Sequence, residues 1–173
     1  MNAILNKKLV LATLICGGLF STASQAVNID ITGTVVASPC VVNGGDNTLS
    51  INLGDTIQAD ALSAPGSTTD WVEKTLALTS CPASTTSFSV VFSGTADDDA
   101  DFYKNTGTAT NLKLELTDDS TTTAFKNGAT MNNVAISGTT HAYDLKMRSR
   151  AVSKGSVMPG SIIGQVQATF TYQ

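Results

Sequence analysis

The segment Ile162-Ile163-Gly164-Gln165-Val166-Gln167-Ala168-Thr169-Phe170-Thr171-Tyr172-Gln173 carries the clearest structural signal in the chain. Every second residue from Ile162 to Tyr172 is apolar or glycine, and the residues between them from Gln165 onward are glutamine or threonine. Successive side chains of a β-strand point to opposite faces, so this pattern predicts a half-buried strand. We expect an uncovered edge there, which can pair with a second chain. The alternative is an ordinary terminal strand paired inside one monomer.

The same period of two recurs along the chain, in short segments that are separated by turn residues. Strands are predicted at Val27–Ala37, Leu49–Leu53, Leu76–Leu78, Phe88–Phe92, Leu112–Leu116 and Tyr143–Met147. Only Gln58 to Ser63 could form a short helical turn. About seven or eight short strands without a long helix predict an all-β fold, an antiparallel sandwich of the immunoglobulin type.

Composition supports this class and excludes several others. The chain has 173 residues, of which 14% are charged and 42% are hydrophobic. A coiled coil or a disordered acidic chain needs more charge. The net charge of −4 argues against binding a nucleic acid backbone, which requires a basic face. The length favours one domain.

The first 26 residues have the order of a secretory signal peptide. Lys7 and Lys8 precede an apolar run from Leu9 to Phe20, and small residues up to Ala26 follow. The run is too short to span a membrane as a helix, which takes about 20 residues. Cleavage after Ala26 predicts a mature chain that starts at Val27, and the loss of two lysines changes the net charge from −4 to −6.

Two cysteines, Cys40 and Cys81, remain after the signal peptide. An even number in an exported chain predicts a disulfide, because the compartment beyond the inner membrane is oxidising. Two free thiols or half of a metal site are the alternatives, but a zinc site would lack ligands.

An enzyme is the competing class, and its candidate residues are few. His141 is the only histidine, and Asp144 is expected on the opposite face of the same strand. The acidic run from Asp97 to Asp101 could hold calcium, although a solvated turn is the simpler interpretation. Asp118-Asp119-Ser120 predicts a hairpin turn. Trp71 on a shallow surface would suit a sugar, so a monomeric exported carbohydrate-binding module is the alternative function.

Taken together, the mature chain resembles a chaperone–usher fimbrial subunit. The resemblance rests on the spacing of Cys40 and Cys81, on Gly160 as fourteenth residue from the end, and on Tyr172 as the penultimate residue. It is closest to the minor tip-fibrillum adaptor subunits of type 1 fimbriae. The segments that carry this are Val35–Cys40, Leu76–Pro82, Phe92–Ala96, Phe102–Asn105 and Leu112–Leu116.

The resemblance implies an immunoglobulin-like sandwich that lacks its final strand and is completed by a strand from a neighbour. Residues 27–39 would be a donor-strand extension and residues 40–173 the pilin domain. The implied donor residues are Val27, Ile29, Ile31, Gly33 and Val35. The implied acceptor groove, also recognised by chaperone and usher, involves Gly160, Val166, Ala168, Phe170 and Tyr172.

The resemblance also implies partners and a location. The chain would pass through the periplasm with a chaperone, cross the outer membrane at an usher, and join neighbouring subunits of a fimbrium that supports cell adhesion. It implies no cofactor, no metal and no catalytic residue.

Overall fold

The computed structural model describes residues 27–173, so the predicted signal peptide and its cleavage site lie outside the described residues. Residues 27–34 form no helix and no strand. The side chains of Val27, Ile29 and Ile31 are 81%, 83% and 93% exposed. The prediction of a strand from Val27 to Ala37 is wrong for this chain alone. An alternating segment becomes a strand only where a second strand satisfies its backbone hydrogen bonds.

The regular elements lie between Val41 and Tyr172. The strands are β1 (Val41–Val42), β2 (Val72–Thr79), β3 (Ser87–Gly94), β4 (Tyr103–Lys104), β5 (Thr110–Asp118), β6 (Thr130–Ala135), β7 (Tyr143–Met158) and β8 (Val166–Tyr172). Short 3-10 turns occupy Asn43–Gly45 and Asp60–Leu62. The second of these turns confirms the predicted helical turn.

The strands form two antiparallel sheets, as the sequence predicts. One sheet has the order β1-β2-β7-β5-β4 and the other has the order β6-β3-β8. Their apolar faces meet in one hydrophobic cluster, in which Phe88, Leu78 and Leu145 are almost fully buried. Phe92 stacks on Phe125 with ring centroids 4.4 Å apart. Burial of such side chains supplies the main stabilisation of the fold, at about 1.5–3 kcal/mol each.

Three differences from the predicted strands have physical causes. Strand β6 was not predicted, because a register shift against β3 and a positive φ of 53° at Asn133 interrupt its alternation. The segment Leu49–Leu53 was predicted as a strand and does point its apolar side chains inward, but no strand pairs with it among the described residues. β8 starts at Val166 rather than at Ile162, because Ile163 bonds to Asn105 and Thr106 instead of to β3.

The predicted disulfide between Cys40 and Cys81 is confirmed. It joins the residue before β1 to the loop that follows β2, with Cα atoms 4.2 Å apart and a sequence separation of 41. Both residues are buried in the hydrophobic cluster. The bridge therefore fixes the point at which residues 27–39 leave the sandwich.

Replacing both cysteines with serine should lower the free energy of unfolding by about 4 kcal/mol, because the bridge restricts a long loop in the unfolded chain. Urea unfolding of the exported chain and of the double variant, each in complex with the periplasmic chaperone that the resemblance implies, measures the difference. Non-reducing mass spectrometry should show a mass lower by two hydrogens than the reduced chain. Free thiols in the exported chain, or an unchanged unfolding midpoint, would contradict this role.

Candidate functional site

Strand β8 has a free edge. Residues Ser87 and Gln173 exchange both of their backbone hydrogen bonds, at 3.2 and 2.9 Å. Hydrogen-bonded pairs alternate along an antiparallel ladder. The N–H and C=O groups of Val166, Ala168, Phe170 and Tyr172 therefore point away from β3, and no other strand of the described chain pairs with them. An unpaired edge of this length is a template for a further strand.

A second unpaired segment lies opposite this edge. Leu49, Ile51, Leu53 and Ile57 are partly buried and pack against the hydrophobic cluster. Residues 49–57 nevertheless belong to neither sheet. Their side chains have the orientation that a strand would give them, while their backbone has no strand partner in residues 27–173. This segment and β8 are the two banks of one groove.

The groove between these banks has a volume of about 1360 Å³. Its floor consists of apolar side chains from both sheets: Leu76, Phe92, Tyr103, Leu114, Leu116 and Met147. The Tyr103 hydroxyl donates a 2.7 Å hydrogen bond to the Phe125 carbonyl, and burial raises the pKa of Tyr103 to about 12. Tyr103 is therefore a neutral part of the floor at physiological pH, and the groove offers an apolar interior between hydrogen-bonding edges.

Most of the predicted acceptor residues line this groove, and one does not. Gly160, Val166, Ala168 and Phe170 are lining residues. Tyr172 lies beyond them, where its buried hydroxyl has no hydrogen bond partner among residues 27–173. The hydroxyl is close to the Cys40 backbone, but burial has the larger effect and raises the pKa of Tyr172. Tyr172 thus packs at the end of the groove near the disulfide.

Glycine is required at Gly160 by the close approach of two chain segments. A Cβ atom at this position would overlap the backbone of Thr108 and Ala109. At Gly164 a Cβ atom would overlap the Leu114 side chain. Because neither glycine has a side chain, residues 160–164 can lie directly against the start of β5 and against Leu114. There they form part of the lining of the groove.

The bank formed by Leu49, Ile51, Leu53 and Ile57 was not among the predicted site residues. The sequence does contain a signal for this bank, because the alternation of residues 49–53 predicts a strand. Sequence alone does not show that a strand lacks a partner. That information requires the order of the sheets.

Residues 27–39 contain the predicted donor positions. Val35 is fully exposed, like Val27, Ile29 and Ile31. Within the described residues, no atom lies within 4 Å of the place that a Cβ of Gly33 would occupy. Exposed aliphatic side chains in strict alternation are unusual in a folded monomer and suggest a segment that is buried elsewhere.

The alternative sites have structural explanations. His141 lies in the turn before β7, with a positive φ of 50°, and its carbonyl accepts a hydrogen bond from the Cys81 amide. Trp71 contacts the guanidinium groups of Arg148 and Arg150, 4.5 and 4.1 Å from its ring centroid. These cation–π contacts give Trp71 a structural role in the fold. The predicted turn at Asp118 is confirmed, since its carboxylate accepts bonds from the Ser120 and Thr121 amides.

Three of the four acids in the run from Asp97 to Asp101 are paired with lysines. Asp97 pairs with Lys154 at 2.7 Å, Asp99 with Lys113 at 2.6 Å, and Asp101 with Lys126 at 2.7 Å. In the described part of the chain, no group of three or more acidic, histidine or cysteine side chains is arranged to hold a metal. The loop is thus tied to three other parts of the sandwich.

The Asp97–Lys154 pair should stabilise the fold measurably, because the Asp97 side chain is only 3% exposed. Lys154→Met leaves that carboxylate buried without its cation, and we expect a loss of about 2–3 kcal/mol in urea unfolding. Lys126→Met is the matched control, since the pair of Lys126 with Asp101 is largely exposed and such pairs contribute little. Equal effects of the two variants would show that burial of Asp97 does not matter.

No helix in the described residues is long and apolar enough to cross a membrane.

Comparison with known proteins agrees with this geometry. A family model described as fimbrial protein matches residues 29–173. The chain is 35% identical over 172 residues to the uncharacterized fimbrial-like protein YdeR of Escherichia coli strain K12, covering 98% of each chain. It is 38% identical over 166 residues to the protein FimG of the same strain, covering 94% of this chain and 95% of FimG. The P pilus rod subunit PapA superposes with a TM-score of 0.62 at 17% identity, covering 84% of this chain and 100% of PapA.

The chain therefore belongs to the fimbrial protein family, a family of structural pilus subunits rather than enzymes. The predicted fold class is confirmed as an all-β, immunoglobulin-like sandwich that lacks its final strand.

Proposed function

We propose that this chain is a minor subunit of a chaperone–usher fimbria that polymerises by strand addition. It accepts a strand from one neighbour in the groove beside β8 and donates residues 27–39 to another. The observation that carries the proposal is the apolar groove between two unpaired banks, β8 on one side and residues 49–57 on the other. A strand placed there would satisfy the free backbone groups of β8 and cover the apolar floor.

The donor segment is chemically suited to such a groove. In a strand, Val27, Ile29, Ile31 and Val35 would project from one face, and each buried aliphatic side chain is worth about 1.5–3 kcal/mol. Four of them give ~6–12 kcal/mol before the cost of ordering the segment. Residues 27–39 would form the donor and residues 40–173 the acceptor domain, after removal of residues 1–26. No cofactor is needed for this linkage.

The proposed partners follow from the exposure of the apolar groove in a subunit that has not yet joined a neighbour. An open apolar groove in a newly exported chain is a risk for aggregation. A periplasmic chaperone that occupies it would protect the chain until an outer-membrane usher passes the subunit into the fimbrium. There the neighbours are a tip adhesin, other minor subunits or the rod subunit, and the fibre supports cell adhesion. A place in the tip fibrillum is supported by the sequence segments from Val35 to Leu116 that resemble adaptor subunits.

Size-exclusion chromatography of the exported chain, with and without a co-expressed periplasmic chaperone, tests the proposal. We expect recovery mainly as a one-to-one complex, and loss or aggregation of the chain without the chaperone. A stable, folded monomer in the absence of the chaperone would contradict the proposal and would favour a monomeric binding module instead.

A further inference from the structure

We infer that the groove selects its donor by charge, favouring a strand with a lysine or arginine on its solvent-facing side over the extension of a second copy of this chain. The inference rests on the proposed function and adds the chemistry of the incoming neighbour. It comes from the charges on the banks of the groove and on the extension.

The groove is acidic. Among residues 27–173, the only charged residues that line it are Asp46 and Asp55, both exposed. The adjoining cavity of about 400 Å³, which shares Ile57, Gly160 and Ile162 with the groove, adds Asp60. In the described part of the chain, no lysine or arginine lines either cavity. A strand in the groove would therefore meet negative charge without a neighbouring cation.

These acids differ from the four acids of the described chain that form ion pairs. The four ion pairs in the described residues involve Asp97, Asp99, Asp101 and Glu115. Within residues 27–173 the side chains of Asp46, Asp55 and Asp60 make no ion pair and no hydrogen bond, which leaves their charge available to an incoming strand.

The extension of this chain has the wrong sign for such a groove. Asp30 is the only charged side chain between Val27 and Pro39, and the remaining charge is the α-ammonium group that cleavage would leave at Val27. It alternates with Ile29 and Ile31, so it would occupy the solvent-facing side of a strand whose aliphatic side chains are buried. Insertion of a second copy would thus bring Asp30 to a groove that carries Asp46 and Asp55 along one side. A basic residue at that position would be attracted instead.

Charges at the rim of a binding site act mainly on the association rate, and salt screens them. Exposed pairs contribute about 0.2–1 kcal/mol, which is ~1.4- to 5-fold per pair. A change of two charge units in the donor should therefore alter the association rate by about two- to 25-fold at low salt. A rate difference of this size would make successive insertion of identical subunits less frequent, even where the competing donor strands have the same buried side chains.

The test uses the full exported chain, purified with its periplasmic chaperone, and three peptides of residues 27–39 with acetylated N-termini. The peptides carry Asp30, Asp30→Asn or Asp30→Lys, and their rate of entry is measured at low and high salt. We expect the order Lys, then Asn, then Asp, with the differences shrinking at high salt. The variant Asp46→Lys/Asp55→Lys should reverse the order. The matched control is Asp98→Asn. Asp98 is an exposed acid that lies outside the groove and makes no ion pair in the described residues, so this variant should preserve the order.

Equal rates for the three peptides, or the same order on the Asp46→Lys/Asp55→Lys variant, would overturn selection by charge while leaving strand addition intact. If none of the peptides enters the groove of any variant, the proposed function itself fails, and this inference fails with it.

Discussion

Replacing Phe170 and Tyr172 together with glutamate is expected to abolish capture of the exported chain by a periplasmic chaperone, while export itself continues. Both side chains lie on the inward face of β8, and Phe170 lines the groove. A carboxylate placed on this apolar surface loses its hydration when a strand covers it, at a cost of several kcal/mol. The amount of chaperone that co-purifies with the tagged chain measures the effect.

Two further variants make this result interpretable. Thr169→Glu/Thr171→Glu places the same charges on the exposed face of the same strand and should leave capture unchanged. Val166→Glu changes a groove residue that is already 39% exposed, so the fold should tolerate it while capture declines. If the Phe170/Tyr172 variant and the Val166 variant both co-purified with as much chaperone as the wild-type chain, β8 would not be the acceptor edge.

Gly33→Leu is expected to leave folding and chaperone binding unchanged and to block insertion of the extension into a neighbour. Within the described residues no strand forms at this position and no atom lies within 4 Å of a new Cβ. The chain itself should therefore tolerate the larger side chain. In a neighbour's groove the leucine would be overpacked, at about 1–3 kcal/mol or ~5- to 150-fold in the binding equilibrium.

The chaperone-bound yield and the rate of strand exchange are measured together for this variant. Thr32→Leu is the matched control, because it adds similar bulk on the opposite, solvent-facing side of the same segment. Normal exchange by Gly33→Leu would exclude residues 27–39 as the donor. A poor periplasmic yield would instead indicate that Gly33 bends a strand inside the folded monomer.

Much of the sandwich could be predicted from local pattern. The cores of β2, β3, β5 and β7 were predicted at Leu76, Phe88, Leu112 and Tyr143, because a strand with one buried face repeats every two residues. The Cys40–Cys81 bridge followed from the cysteine count and the export signal. Strand β6 was not predicted, because the register shift and the positive φ at Asn133 interrupt that repeat.

The candidate site was predicted only in part, for a related reason. Val166, Ala168 and Phe170 have the alternation of a strand, and the resemblance to fimbrial subunits pointed to them. The facing bank at Leu49, Ile51 and Leu53 has the same alternation, and nothing local separates it from the paired strands. Nothing in the sequence pattern marked Asp46 and Asp55 as groove residues, because exposed acids occur in most turns.

The sequence by itself determined which residues turn inward, that the fold is an antiparallel sandwich, and that Cys40 and Cys81 are bridged. These properties depend on side-chain polarity at short separations and on the number of cysteines. Only the tertiary structure decided which alternating segments have partners: β8 pairs with β3 on one edge alone, and residues 49–57 pair with no strand in the described chain. Strand pairing joins residues far apart in the sequence, and a segment's own pattern is the same whether or not a partner lies beside it.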